Sequence, residues 1–162
     1  AGKEGKEKMR LALLLLLAAC CAFAAPLKKD KEVHWLSYTD GLKKAVKESK
    51  LVFVSVYADW CIPCHIMDKN VYSDPDVATL LNSRFIPVKL NAESQDTIMC
   101  DGQAKIAERC YFDVWNLSAV PSYVLVAPKG MSILTLTQSL DVDDMIVLLN
   151  QILIKEKEWI AR

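Results

Sequence analysis

The chain has 162 residues, 52% of them apolar and 25% charged, with 20 Lys/Arg against 20 Asp/Glu. That length supports one domain with its own core, and the balanced charge, without a basic stripe or a nucleic-acid motif, excludes DNA and RNA as expected partners. The neutrality is uneven: residues 1–32 hold seven Lys/Arg and four Asp/Glu, and residues 33–162 hold thirteen and sixteen, so the body of the chain is mildly acidic.

Residues 11–25 form an unbroken apolar run, from Leu11 to Ala25, after Met9-Arg10. A basic start, a short apolar core and small residues at the end are the features of a secretory signal peptide. The run is too short for a membrane span. Residues 1–25 are therefore read as an N-terminal extension plus signal peptide, with Met9 a candidate start. A buried core helix is the competing reading, but the run is apolar all round. Two cleavage patterns are present. Leu17-Ala18-Ala19-Cys20 matches a bacterial lipobox, which makes Cys20 a candidate lipidation site. Ala22-Phe23-Ala24 matches an ordinary A-x-A site that releases a soluble protein from Ala25. Both lead to a compartment where disulfides persist. The terminal Trp159-Ile160-Ala161-Arg162 is not an endoplasmic-reticulum retention signal. The expected location is the bacterial periplasm, soluble or lipid-anchored, or otherwise secretion.

Residues 26–32 read as a charged linker, and residues 33–160 as the folded domain. Val33 to Tyr38 is expected to be a short edge strand. Thr39 or Asp40 caps a helix to about Ser49, with Leu42, Ala45 and Val46 on its inner face. Leu51 to Tyr57 is dense in Val, Phe and Leu without clean alternation, as in a central strand covered on both faces. Cys61 to Asn70 reads as a helix. Asp74 caps the next one, with Pro75 in its first turn, running to about Ser83. Phe85 to Leu90 is a strand, Asn91 to Asp101 a polar loop, and Gly102 to Phe112 a helix with Asp101 as its cap. Ser122 to Ala127 and Met131 to Thr137 form a hairpin around Pro128-Lys129-Gly130. Asp141 caps a last helix with an apolar stripe of Val142, Met145, Ile146, Leu149, Ile152 and Leu153.

Trp60-Cys61-Ile62-Pro63-Cys64 follows the central strand and opens a helix. Two cysteines at i and i+3 on a first turn place both sulfurs on one side, the layout of a dithiol–disulfide redox site. Helix N-terminal N–H groups favour a thiolate on Cys61. Cys64 lies one turn deeper and is expected to be more buried. Cys61 is thus read as the nucleophile and Cys64 as the resolving thiol. Cys61-x-x-Cys64-His65 also matches covalent c-type haem attachment, with His65 as iron ligand and Met67 or Met99 as a second. The motif proline and the preceding strand favour the redox reading. No cofactor and no metal are expected, because one cysteine pair and two histidines do not give paired zinc-ligand spacing. Cys100 and Cys110 pose a separate question. On one continuous helix they would lie about 15 Å apart, too far to bond. A structural disulfide needs Cys100 to fold back, and a small buried Cys110 is the alternative.

Tyr57-Ala58-Asp59-Trp60-Cys61-x-x-Cys64, with Tyr72-Ser73-Asp74-Pro75-x-Val77 downstream, resembles the C-terminal thioredoxin-like domain of the bacterial thiol:disulfide interchange protein DsbD. Stand-alone periplasmic thioredoxin-like proteins share these features. The resemblance spans Val33 to Leu153. It implies an α/β fold, a thioredoxin-like three-layer sandwich with a mixed sheet flanked by helices. It implies that Pro121 is a cis-proline facing the dithiol, and that the Val120 backbone pairs with an incoming peptide. Trp60, Ile62 and Pro63 complete the implied substrate-binding surface. Relatives hold a buried acid where this chain has Ser55, and a serine cannot act as a base at neutral pH. Asp68, one turn beyond Cys64, is the candidate proton shuttle in its place. His65 stands where relatives often have Lys and is a candidate tuner of Cys61.

The function this implies is that of an exported thiol–disulfide oxidoreductase acting on disulfides of envelope proteins through Cys61 and Cys64. A proline before the second cysteine resembles reducing thioredoxins, so a protein-disulfide reductase is expected, with an oxidase or isomerase as the alternative. A peptide-binding module and a haem protein stand behind these. Disulfide-containing proteins are the expected substrates and a DsbD-type membrane protein the expected electron donor, for a monomeric enzyme.

Overall fold

A computed structural model describes residues 29–161. The leader reading, Cys20 and the start of the linker lie outside the described residues.

The sheet is organised by its central strand β1 (Val52–Tyr57), in which five successive residues are buried. β1 pairs in parallel with β2 (Ile86–Asn91) and antiparallel with β5 (Ser122–Val126), and β5 pairs antiparallel with β6 (Ser132–Thr137), giving the order β2-β1-β5-β6. The period of two along a strand splits the core into two layers. Val52, Val54 and Val56 face α1 (Tyr38–Glu48), together with Ile98, Cys100, Cys110 and Trp115. Leu51 and Phe53 face the other side, where α2 (Ile62–Asn70), α3 (Pro75–Arg84) and later α5 (Val142–Ile154) supply Met67, Val77, Leu81, Met145 and Leu149. This is an α/β thioredoxin-like arrangement, helices on both faces of a mixed sheet. Among the described residues no helix is long and apolar enough to cross a membrane.

Several expectations need correction. The predicted first strand is reduced to one bridge, Leu36 to Val88. Ser37 ends it by capping α1, accepting from the Asp40 N–H at 3.2 Å, so the cap is neither Thr39 nor Asp40. Pro87 turns its carbonyl outward to Leu36 N–H and so leaves its donor-less nitrogen on the sheet edge, where proline is tolerated. The inner face of α1 is Tyr38, Gly41 and Ala45 with the partly buried Leu42, while Val46 is 64% exposed. A Cβ on Gly41 would lie 2.2 Å from Val88 Cγ2. Alanine there gains about 1 kcal/mol of helix propensity. The collision is with a buried β-branched side chain on a paired strand, which cannot yield cheaply. Gly41→Ala is therefore expected to lower the unfolding free energy by about 1–3 kcal/mol, read from urea midpoints; an unchanged or raised midpoint would contradict this close packing.

The largest correction lies at residues 97–114. In place of a loop and a helix there is a hairpin, β3 (Thr97–Cys100) and β4 (Gln103–Ile106), then a single turn α4 (Ala107–Arg109) and a π-helical turn over Cys110–Val114. Asp101 and Gly102 have φ of 47° and 77°, the left-handed pair that a two-residue hairpin turn needs. Asp101 caps no helix; its carboxylate accepts from Ser132 Oγ at 2.6 Å and from the Ser132 N–H. Asp74 and Asp141 do cap α3 and α5. A short helix α6 (Glu156–Ile160) follows, which periodicity does not reveal.

Candidate active site

β1 runs out at Tyr57, and Ala58 to Trp60 turn the chain into α2. Cys61 is the N-cap of that helix: its N–H reaches Ala58 O at 3.0 Å, and its sulfur accepts the Cys64 N–H at 3.2 Å. Ile62 and Pro63 fill the first turn, where a missing N–H leaves no bond unmade. Cys61 and Cys64 are joined in a disulfide, with S–S 2.03 Å and Cα–Cα 5.3 Å. The expected difference in burial is not present: Cys61 is 1% and Cys64 4% exposed. In the oxidised form the turn packs both cysteines with Ala58, against Tyr57 and Val120. What separates them is the helix end, since only Cys61 Sγ receives a backbone N–H.

His65 Nε2 lies 2.9 Å from Asp59 O. A carbonyl only accepts, so Nε2 carries the proton in this contact and points along the backbone.

The peptide between Val120 and Pro121 is cis. Val120 packs on the two cysteines, and Pro121 lines a narrow crevice beneath Cys64. Trp60, Ile62 and Ile66 are 66%, 70% and 53% exposed, an apolar rim around a buried disulfide. Trp60 is steadied by its indole N–H, which donates to Glu93 Oε1 at 2.9 Å.

Beneath Cys64 lie groups that the sequence did not reveal. Tyr72 donates its phenol hydrogen to Ser55 Oγ at 3.0 Å, and Tyr123 OH contacts Met67 Sδ at 3.1 Å. Burial pushes both phenols well above their ordinary pKa, so both stay protonated at neutral pH. Asp68 does reach the crevice, but both its carboxylate oxygens lie 2.5 Å from Lys89 Nζ. Lys89 is the register partner of Ser55 on β2, and its ammonium sits 5.1 Å from the Tyr57 ring and 5.7 Å from the Trp35 ring. A lysine inside the apolar strand Ile86-Pro87-Val88-Lys89-Leu90 was the available signal.

Cys100 and Cys110 form a second disulfide, with Cα–Cα 6.1 Å and both residues fully buried. It belongs to the core layer of α1, whereas the dithiol sits at the end of α2.

Comparison with known proteins agrees with this geometry. Residues 24–155 match the family Thioredox_DsbH, described as a protein of unknown function, DUF255. The thiol:disulfide interchange protein DsbD 2 of Pseudomonas aeruginosa is 30% identical over 90 residues, which cover 55% of this chain and 14% of that protein. The chain thus spans only a small part of that relative's length. A thioredoxin from Thermus thermophilus shares the fold, with TM-score 0.61 and 23% identity over 77% of this chain and 90% of that one. The reduced DsbD C-terminal domain of Neisseria meningitidis gives TM-score 0.52 and 22% identity over 69% and 90%.

Proposed function

We propose that this chain, which belongs to the Thioredox_DsbH family, is a thiol–disulfide oxidoreductase that works as a reductase of exported, disulfide-containing proteins. The observation that carries this reading is the Cys61–Cys64 disulfide at the start of α2, with the Cys61 sulfur at the helix cap. In the reduced form, Cys61 thiolate attacks a substrate disulfide and one substrate sulfur leaves as thiolate. Cys64 then attacks Cys61 Sγ, which forms the Cys61–Cys64 bond and releases the second substrate sulfur. Two electrons pass to the substrate. Val120 lies beside the sulfurs and is suited to pair its backbone with the substrate strand. Trp60, Ile62 and Pro63 form the apolar contact around it.

The direction is supported by the charges. Ile62 and Pro63 carry none, His65 is turned to a carbonyl, and Lys89 is committed to Asp68. The helix-start N–H groups favour the Cys61 thiolate, but no side-chain cation adds to them, which leaves the reduced state less stabilised than in a site with such a cation and supports the reducing direction. The likeness to DsbD proteins supports a membrane electron donor of that type, and the leader at residues 1–25 supports export to the periplasm.

The reduction potential is the test, measured by equilibration in dithiothreitol or glutathione buffers with Trp60 fluorescence as readout. A value of about −230 mV or below is expected, in the reducing range of the superfamily. A value between about −180 and −120 mV would replace the reductase reading with an oxidase or isomerase. No two-electron transition at all would favour a peptide-binding module instead.

A further inference from the structure

Trp60 precedes Cys61, is 66% exposed, and donates its indole N–H to Glu93 Oε1 at 2.9 Å. Glu93 is an exposed residue of the loop between β2 and β3. Polar groups of the chain hold that loop in place. Asn91 Oδ1 accepts the Glu93 N–H at 2.9 Å. The Gln95 side-chain amide donates to Glu93 O at 3.2 Å and to Glu108 Oε2 at 3.3 Å. The Glu108 N–H donates in turn to Ser94 O at 3.1 Å. Two carboxylates are thus anchored at the loop that Trp60 touches, and the groups that anchor them carry no charge.

Among the described residues neither Glu93 nor Glu108 has a Lys or Arg partner, and Asp59, directly before Trp60, has none either. Basic groups of the neighbouring elements are committed elsewhere. Lys89 on β2 lies 2.5 Å from Asp68, and Arg109 on α4 reaches Asp113 at 3.7 Å. Lys105 on β4 forms no ion pair with either glutamate. His65 turns its ring to the Asp59 carbonyl, and Ile62 and Pro63 are uncharged. The negative field on the Trp60 side of the dithiol is therefore unopposed within the chain, and a cationic group arriving from outside complements it.

We propose that Glu93 is a specificity-determining residue, which makes the site selective for disulfides with a cationic group, such as a Lys or Arg side chain, close to the sulfur. Glu108 adds to the same field. This rests on the reading that Cys61 attacks a substrate disulfide. The exposed Trp60 ring supplies apolar contact and a face for the cation, and Glu93, bonded to the N–H edge of that ring, supplies the charge beside it. The chemistry is unaltered. Cys61 Sγ bonds to one substrate sulfur as the substrate S–S bond breaks, and the other sulfur leaves as thiolate. Cys64 then bonds to Cys61 Sγ and expels the first sulfur, so two electrons reach the substrate. Glu93 takes no proton and forms no covalent bond; it raises the encounter rate of cationic disulfides over anionic ones.

The test uses three small disulfides of different charge: cystamine, a dication; 2-hydroxyethyl disulfide, which is neutral; and 3,3′-dithiodipropionate, a dianion. Each is mixed at neutral pH with the full-length protein reduced at Cys61 and Cys64, and oxidation is followed by Trp60 fluorescence. The proteins are wild type, Glu93→Gln, and Glu93→Gln combined with Glu108→Gln. Glutamine keeps an oxygen to accept the Trp60 N–H and removes only the charge. The readout is the rate with each charged probe divided by the rate with the neutral probe in the same protein. A general loss of activity moves both rates and leaves the ratio. A unit charge about 6 Å away in water changes a rate by about threefold. The cystamine ratio is therefore expected to fall about threefold in Glu93→Gln and about tenfold in the double variant, at about 10 mM ionic strength. The dithiodipropionate ratio is expected to rise by similar factors. At about 1 M salt, where the screening length is about 3 Å, the ratios of all three proteins are expected to converge. Ratios that match between wild type and both variants at low salt would overturn the proposal. So would ratios for both charged probes that move in the same direction, or a difference that persists at high salt. A reduced wild-type protein that reacted with none of the three probes would sink the exchange reading and this inference with it, whereas an oxidising potential would change only the direction of transfer.

Discussion

Cys61→Ser is expected to abolish turnover of disulfide substrates, a loss on the order of 10³-fold or more, whereas Cys64→Ser is expected to accumulate a covalent adduct. The difference follows from the two steps. Without Cys61 no sulfur at the helix start attacks the substrate. Without Cys64 the first step still proceeds, but a serine hydroxyl is far too weak an acid to cleave the mixed disulfide, so the partner stays attached. Burial does not decide these roles, since the two residues are 1% and 4% exposed. The assignment rests on the backbone N–H aimed at Cys61 Sγ. The check is non-reducing electrophoresis and intact mass after mixing each reduced variant with a disulfide-containing protein. Adducts on Cys64→Ser, cleaved by dithiothreitol and lacking on Cys61→Ser, are the expected result. Adducts mainly on Cys61→Ser would reverse the roles.

The legibility of the site in the sequence is uneven for physical reasons. Cys61, Cys64 and Pro121 were legible because motif and resemblance fix them locally. β1, α2 and α3 were legible because apolar density, Asp74 and Pro75 act through near neighbours. Lys89 and Tyr72 were not, because each meets the dithiol through tertiary pairing: Lys89 through its register with Ser55, and Tyr72 through a hydroxyl bond across 17 residues. The hairpin at 97–106 is a different kind of miss. Asp101-Gly102 is among the strongest short hairpin signals. The apolar spacing of Ala107, Cys110, Tyr111 and Val114 is that of a helix face and competes with it. Strands of four residues show too little alternation to compete with such a stripe. The same misplacement left the Cys100–Cys110 pairing open, because helix geometry separates two residues that the turn brings together.

That second disulfide carries the largest expected effect on stability. A two-stranded hairpin of four-residue strands is marginal by itself in water. β3 and β4 form a separate sheet, outside the four-stranded one. Cys100 ends β3 and Cys110 opens the π-helical turn, so their bond ties the hairpin to the segment packed beneath α1. The bond closes a short loop, the sequence separation being 10. For such a loop the lost unfolded-state entropy is worth about 2–3 kcal/mol. Cys100→Ala combined with Cys110→Ala is expected to lower the unfolding free energy by about that amount. For a domain of this size that is roughly a 10 °C fall in Tm. The Cys61–Cys64 potential is expected to stay unchanged, because the two pairs occupy different packing layers. Calorimetry on the oxidised variant and wild type, beside the same potential measurement, tests both halves. An unaltered Tm would mean that the bond does not constrain the chain. A shifted potential would mean that the hairpin and the dithiol are coupled through β1, the strand that both layers share.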